Sequence, residues 1–130
     1  MSNKSPITCH VLDSSIGKPA QGVAVALQRH RKISEEGDVF SFDPIAHGKT
    51  NEDGRCLDLL TPTRDSVEDL AVLRPGLYKI IFHTKEYFES TNRQCFYPWV
   101  EITFEIQDLD QHYHIPLLLS PYSYTTYRGS

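Results

Sequence analysis

Hydrophobic and polar residues along this chain alternate with a period of two. In "YPWVEITFEI", Val100, Ile102, Phe104 and Ile106 fall on one face, and Trp99, Glu101, Thr103 and Glu105 on the other. That is the pattern of a strand with one side in a core. "GVAVALQRH" repeats it, with Val23, Val25 and Leu27 opposing Ala24, Ala26 and Gln28. "ITCHVLD", "RCLDLL", "GLYKIIFHT" and "HYHIPLLLS" add further strands, and "SSIGKPAQG", "NEDG" and "LRPG" supply turns between them. Only "TKEYFESTN" predicts a helix, and a short one. The irregular stretch "RHRKISEEGDVFSFDPIAHGKT" reads as a long loop with at most one short strand. Strands at short spacing with Gly and Pro between them predict an all-β sandwich or barrel rather than alternating βαβ units.

Length and composition narrow the picture further. The 130 residues suit one globular domain spanning 1–130. With 13 Lys plus Arg against 17 Asp plus Glu, and no run of like charge, the basic footprint of a nucleic-acid binder is missing. No apolar stretch is long enough for a membrane span, and "MSNKSP" lacks the apolar segment of a secretory signal. The expectation is a soluble cytoplasmic protein. The closing "RGS" is not the S-K-L address, so a peroxisomal location would need another import route. Cys9, Cys56 and Cys95 are odd in number and lack C-x-x-C spacing, which predicts reduced thiols in or near the core.

Histidine is the first place to look for chemistry, because a free imidazole titrates near pH ~6.5. In "ITCHVLD", alternation puts His10 with Thr8 and Leu12, opposite Cys9 and Val11. In "HYHIPLLLS", His112 and His114 share a face with Pro116, away from Tyr113, Ile115, Leu117 and Leu119. Pro116 cannot donate to a ladder, which predicts an edge strand or a bulge. From the pattern alone these histidines are surface groups, or, with His10 joining His112 and His114, ligands of a zinc hydrolase that lacks any carboxylate or cysteine at supporting spacing. Arg55 follows the Asp53-Gly54 turn. Its guanidinium fork suits a carbonyl, a carboxylate or an anionic heterocycle, and it equally suits a solvated strand end. Ser130 has no G-x-S-x-G context, so a serine triad is unsupported.

"HVLDSSIGKPA", "TNEDGR" and above all "HYHIPLLLSPYSYTTYRGS" closely resemble the transthyretin-related 5-hydroxyisourate hydrolases over essentially the whole chain, the Y-R-G-S ending being the most specific mark. The resemblance implies a transthyretin-like two-sheet antiparallel β-sandwich of about eight strands with one short helix. It also implies a homotetramer, a dimer of dimers with active sites in clefts where dimers face each other. The implied reaction is metal-independent, cofactor-free hydrolysis of a cyclic amide. It opens 5-hydroxyisourate to 2-oxo-4-hydroxy-4-carboxy-5-ureidoimidazoline in urate degradation. The implied catalytic residues are His10, Arg55, His114 and Ser130, with His10, Arg55, Tyr127, Arg128 and Gly129 contacting substrate. Ser130 would orient a histidine or the water through its hydroxyl or a terminal carboxylate. The segment 29–48 looks expanded relative to a compact member. The other reading is a transthyretin-like carrier of small ligands that kept the fold without catalysis.

Overall fold

The computed structural model describes residues 5–60 and 73–129. Its elements are β1 (Ile7–Asp13), β2 (Lys18–Pro19), β3 (Ala24–Lys32), β4 (Phe40–Lys49), β5 (Arg55–Cys56), β6 (Gly76–Phe82), α1 (Thr84–Ser90), β7 (Val100–Ile106), β8 (Tyr113–Leu119) and β9 (Tyr124–Thr126). One sheet runs β2-β1-β8-β9 with β5 also paired to β1, and the other runs β4-β3-β6-β7. The inward faces read from alternation meet in one core: Ile7, Cys9 and Val11 of β1 and Ile115, Leu117 and Leu119 of β8 pack with Val25, Leu27, Tyr78, Ile80 and Phe82 of the second sheet. The sandwich is therefore as expected, with one departure. β1 and β8 run parallel, Ile7 opposite Tyr113 through Asp13 opposite Leu119, while every other pairing is antiparallel.

Three local readings change. The stretch taken for a loop is a long hairpin, with β3 and β4 in register from Ala24 opposite Lys49 to Lys32 opposite Phe40 and a bulge between Leu27 and Gln28. Alternation fades there because the distal half has left the core, so both faces carry polar groups. Side chains hold it instead. Arg31 pairs with Asp43 at 2.7 Å, His30 packs on Phe40 and Phe42, and the Lys79 ammonium lies 4.2 Å from the Phe42 ring centre. "RCLDLL" contributes only the two residues of β5. "SYTTY" supplies β9, a strand its hydroxyl-rich sequence did not announce.

Pro116 does not mark an edge, since β8 lies between β1 and β9. It marks a break in a ladder. Leu117 opposite Thr126 and His114 opposite Gly129 belong to one register, which would set Pro116 opposite Tyr127. With no N–H on Pro116 the two strands separate there. The Thr126 hydroxyl donates to the Pro116 carbonyl at 2.7 Å, and the Gly129 N–H rejoins the His114 carbonyl at 3.0 Å.

The helix is only seven residues long and has no side-chain N-cap, so its stability comes from tertiary contacts. Tyr87 and Phe88 enter the core. The Tyr87 hydroxyl donates at 2.8 Å to Asp13, a fully buried carboxylate at the end of β1 that also takes Arg93 at 2.6 Å and the Ser15 N–H and hydroxyl. Alternation puts Asp13 on the core face, and this cage is what makes a charge tolerable there.

Candidate functional site

The site begins with a turn. The Asn51 side-chain carbonyl accepts from the N–H groups of Asp53 and Arg55, and the Gly54 N–H donates to the Asn51 carbonyl. Gly54 has φ +75°, and a Cβ there would stand 2.4 Å from the Val11 carbonyl oxygen, so only glycine lets the turn press against β1. Arg55 thereby lands directly opposite His10, and Cys56 opposite Cys9. Cys9 and Cys56 are buried free thiols, whereas His10 is half-buried and Arg55 exposed on the outer face.

β8 brings in the second histidine. The His114 and His10 rings lie 6.5 Å apart between centres, inclined by 29°. Thr8, two residues before His10 and opposite His114 in the parallel register, sits between two rings. Its hydroxyl oxygen is 2.8 Å from His114 Nδ1 and 2.8 Å from His112 Nε2. The segment after β9 folds back over this histidine. A Cβ on Gly129 would lie 2.7 Å from His114 Cδ2, so only a glycine allows that approach. Tyr127 is exposed, and Arg128 lays its guanidinium 4.9 Å from the Tyr113 ring centre with a hydrogen bond to Gln111. A cavity of about 340 Å³ adjoins the segment, lined by Ile102, Phe104, Tyr113, His114, Tyr127 and Arg128 among others. Half-buried Ile102 and Phe104 of β7 face it, which is why the middle of that strand is less covered than Val100 and Ile106 at its ends.

The electrostatics favour neutral imidazoles. Burial, then the Arg55 charge, push His10 below its ordinary range, with a hydrogen bond to the Asp53 backbone partly opposing them. Burial, Arg55, His10 and His112 push His114 the same way. Two uncharged rings beside a guanidinium can accept a proton and stabilise a nearby oxyanion. Among the described residues no group of three His, Cys, Asp or Glu is arranged to hold a metal ion, and His112 and His114 each turn a nitrogen to Thr8.

His10, Arg55, His114 and Gly129 thus come together. Tyr127 and Arg128 flank them with the Arg128 guanidinium engaged elsewhere, and Ser130 lies outside the described residues. Sequence reasoning put Thr8 on the His10 face without giving it work. No local pattern in the sequence could have shown that β1 and β8 pair in parallel with Thr8 beside His114. Gln111, the partner of Arg128, carried no signal.

The model of the HIUase/Transthyretin family matches residues 7–129. The chain is 44% identical over 126 residues to the 5-hydroxyisourate hydrolase of Mus musculus, covering 97% of this chain and 96% of that one. It is 43% identical over 124 residues to a probable 5-hydroxyisourate hydrolase of Schizosaccharomyces pombe, covering 95% and 90%. Among solved structures it superposes on the Klebsiella pneumoniae 5-hydroxyisourate hydrolase with a TM-score of 0.72 at 30% identity, over 99% of this chain and 100% of that one. On sea bream transthyretin in complex with thyroxine the TM-score is 0.76 at 28% identity, covering 96% and 95%. With sequence and fold in agreement along nearly its whole length, this chain belongs to the HIUase/Transthyretin family.

Proposed function

We propose that this chain is a hydrolase that opens the ring of 5-hydroxyisourate to 2-oxo-4-hydroxy-4-carboxy-5-ureidoimidazoline in urate degradation. The observation that carries this is the pair of histidines held beside Arg55 on one sheet face in a chain 44% identical to a 5-hydroxyisourate hydrolase. The other reading, a carrier of a small apolar ligand, has no use for two neutral imidazoles and a guanidinium.

The histidine pair removes a proton from water as the oxygen attacks a ring amide carbonyl. The C–N bond then breaks, and the same proton passes to the departing nitrogen. Arg55 binds the flat, polar ring and stabilises the oxyanion with its donor fork. Tyr127, Arg128 and Gly129 form a wall against the substrate, and Ser130 orients the water or a histidine. The chemistry as drawn needs no metal and no cofactor. One domain over residues 1–130 assembles as a dimer of dimers, a reading supported by the edges of β7 and β9, unpaired among the described residues, and by a site face that a single chain leaves half open. No described helix is long and apolar enough to cross a membrane, and the cytoplasm is the proposed location, with the peroxisome as the other candidate.

The test is the decay of ultraviolet absorbance of freshly generated 5-hydroxyisourate. The protein is expected to speed it at least a hundredfold over the spontaneous rate, with chelator making no difference. Spontaneous decay in its presence would return the chain to the carrier reading, and loss of rate on chelation would return it to a metal enzyme. Gly129→Ala probes the wall. The added methyl cannot fit beside His114, so the segment must lift, and kcat/KM should fall about tenfold while Tm stays within a few degrees. Unchanged kcat/KM would remove residues 127–129 from the site.

A further inference from the structure

We infer that Thr8 is a positioning residue whose single hydroxyl proton couples His112 to His114 and fixes which nitrogen of His114 is free to act as a base. The inference rests on the hydrolase reading for its consequence but not for its geometry. Thr8 is 2% exposed, and its oxygen lies 2.8 Å from one nitrogen of each ring. A hydroxyl has one proton to give and lone pairs to receive. It can therefore donate to one imidazole only, and the other must donate to it.

Two arrangements satisfy this. In the first, His114 Nδ1–H donates to Thr8 and Thr8 donates to His112 Nε2, leaving the Nε2 lone pair of His114 bare. In the second, every donor reverses, and His114 carries its proton on Nε2 and cannot take one from water. A base requires the first, which in turn requires His112 to hold its proton on Nδ1. His112 is exposed while His114 is half-buried, so the chain of three also joins the site to solvent. When His114 Nε2 accepts a proton, its Nδ1–H keeps donating to Thr8, and Nε2 returns the proton to the departing nitrogen with the arrangement unchanged. The charged and titratable groups acting on His114 are Arg55, His10 and His112, and none of them occupies Nδ1. The hydrogen bond at that nitrogen is to Thr8, through which the tautomers of His114 and His112 are set together.

The experiment is long-range proton–nitrogen correlation NMR on ¹⁵N-histidine-labelled full-length protein, read beside kcat and KM. Wild type is expected to show His114 protonated at Nδ1 and bare at Nε2. Thr8→Val, which keeps the shape and removes the hydroxyl, should convert His114 to a mixture rich in the Nε2–H form. It should lower kcat about tenfold with KM little changed, well short of the penalty for a wholly wrong tautomer. Thr8→Ser should restore both readouts. If Thr8→Val does not fold, His112→Ala, at an exposed position, should loosen the His114 tautomer in the same way. A His114 protonated at Nε2 in wild type, or one whose tautomer is the same in wild type and Thr8→Val, overturns the inference even if kcat falls. Because the tautomer is read without substrate, failure of the hydrolase reading would leave this result intact and separately visible.

Discussion

Replacing His10 by alanine lowers kcat/KM for 5-hydroxyisourate by about a thousandfold, within the range that a positioned acid–base group contributes, while Tm stays close to that of wild type. The asymmetry follows from where the ring sits. His10 is half-buried on the outer face of β1, and its neighbours Cys9 and Val11 carry the core contacts, so its loss opens no cavity. What is lost is a proton acceptor that is uncharged at neutral pH. Burial and Arg55 hold both His10 and His114 below the ordinary imidazole range. A lowered pKa keeps the base form down to lower pH, so the acidic limb of wild-type kcat/KM should lie below about pH 6.5, the value for a free histidine. Arg55→Gln removes the charge that both rings share. It should move that limb upward as well as reduce the rate, and a limb that stays in place would mean Arg55 acts on substrate alone. A His10→Ala variant within threefold of wild type would leave His114 as the whole base.

How far the sequence could be read depended on where each signal came from. Strands that cross the core wrote a clear period of two, and β1, β3, β6, β7 and β8 sit close to where that period put them. The distal half of the β3–β4 hairpin did not, because beyond the core both faces are wet and the order comes from Arg31–Asp43 and the aromatic contacts of His30. β9 was hidden for a related reason: Tyr124, Thr125 and Thr126 are all exposed, so no burial pattern marks them. Of the site, alternation alone showed that His10 and His114 point away from the core. Their meeting is a consequence of β1 pairing with β8 across more than a hundred residues of sequence, which no local pattern encodes. The family resemblance supplied that juxtaposition, though it left Thr8 and His112 without a role. Pro116 was legible as a missing donor. What it interrupts, the ladder to the segment that covers His114, needed the register.

The second large effect is on stability. Asp13→Ala should cost about 3 kcal/mol, the range for breaking a buried ion pair by removing one partner, and roughly 10 °C in Tm for a domain of this size. Asp13 is fully buried, Arg93 keeps 24% of its side chain exposed, and the Tyr87 hydroxyl and the Ser15 N–H and hydroxyl complete the cage. Losing the carboxylate strands the tyrosine hydroxyl and leaves Arg93 with its bond to the Ser15 hydroxyl at the end of β1; Arg93 also lies 4.9 Å from the Phe88 ring centre, so its drift would loosen that packing. Burial alone would raise the Asp13 pKa, but the hydrogen bonds from Arg93, Ser15 and Tyr87 outweigh it and hold the carboxyl below its ordinary range. Burial and the same carboxylate push Tyr87 up to about 12. A depressed carboxyl pKa gives stability that is fully present above the unfolded value, near pH 4, and is lost as pH falls through the folded value. The Tm gap between wild type and Asp13→Ala should therefore be constant from about pH 5 to pH 8 and narrow below about pH 4. It must be read at one fixed protein concentration, because the proposed subunit assembly would add a concentration-dependent term of its own. A gap that persists unchanged to pH 3 would show that Asp13 holds α1 by shape and neutral hydrogen bonds, and that its charge contributes nothing.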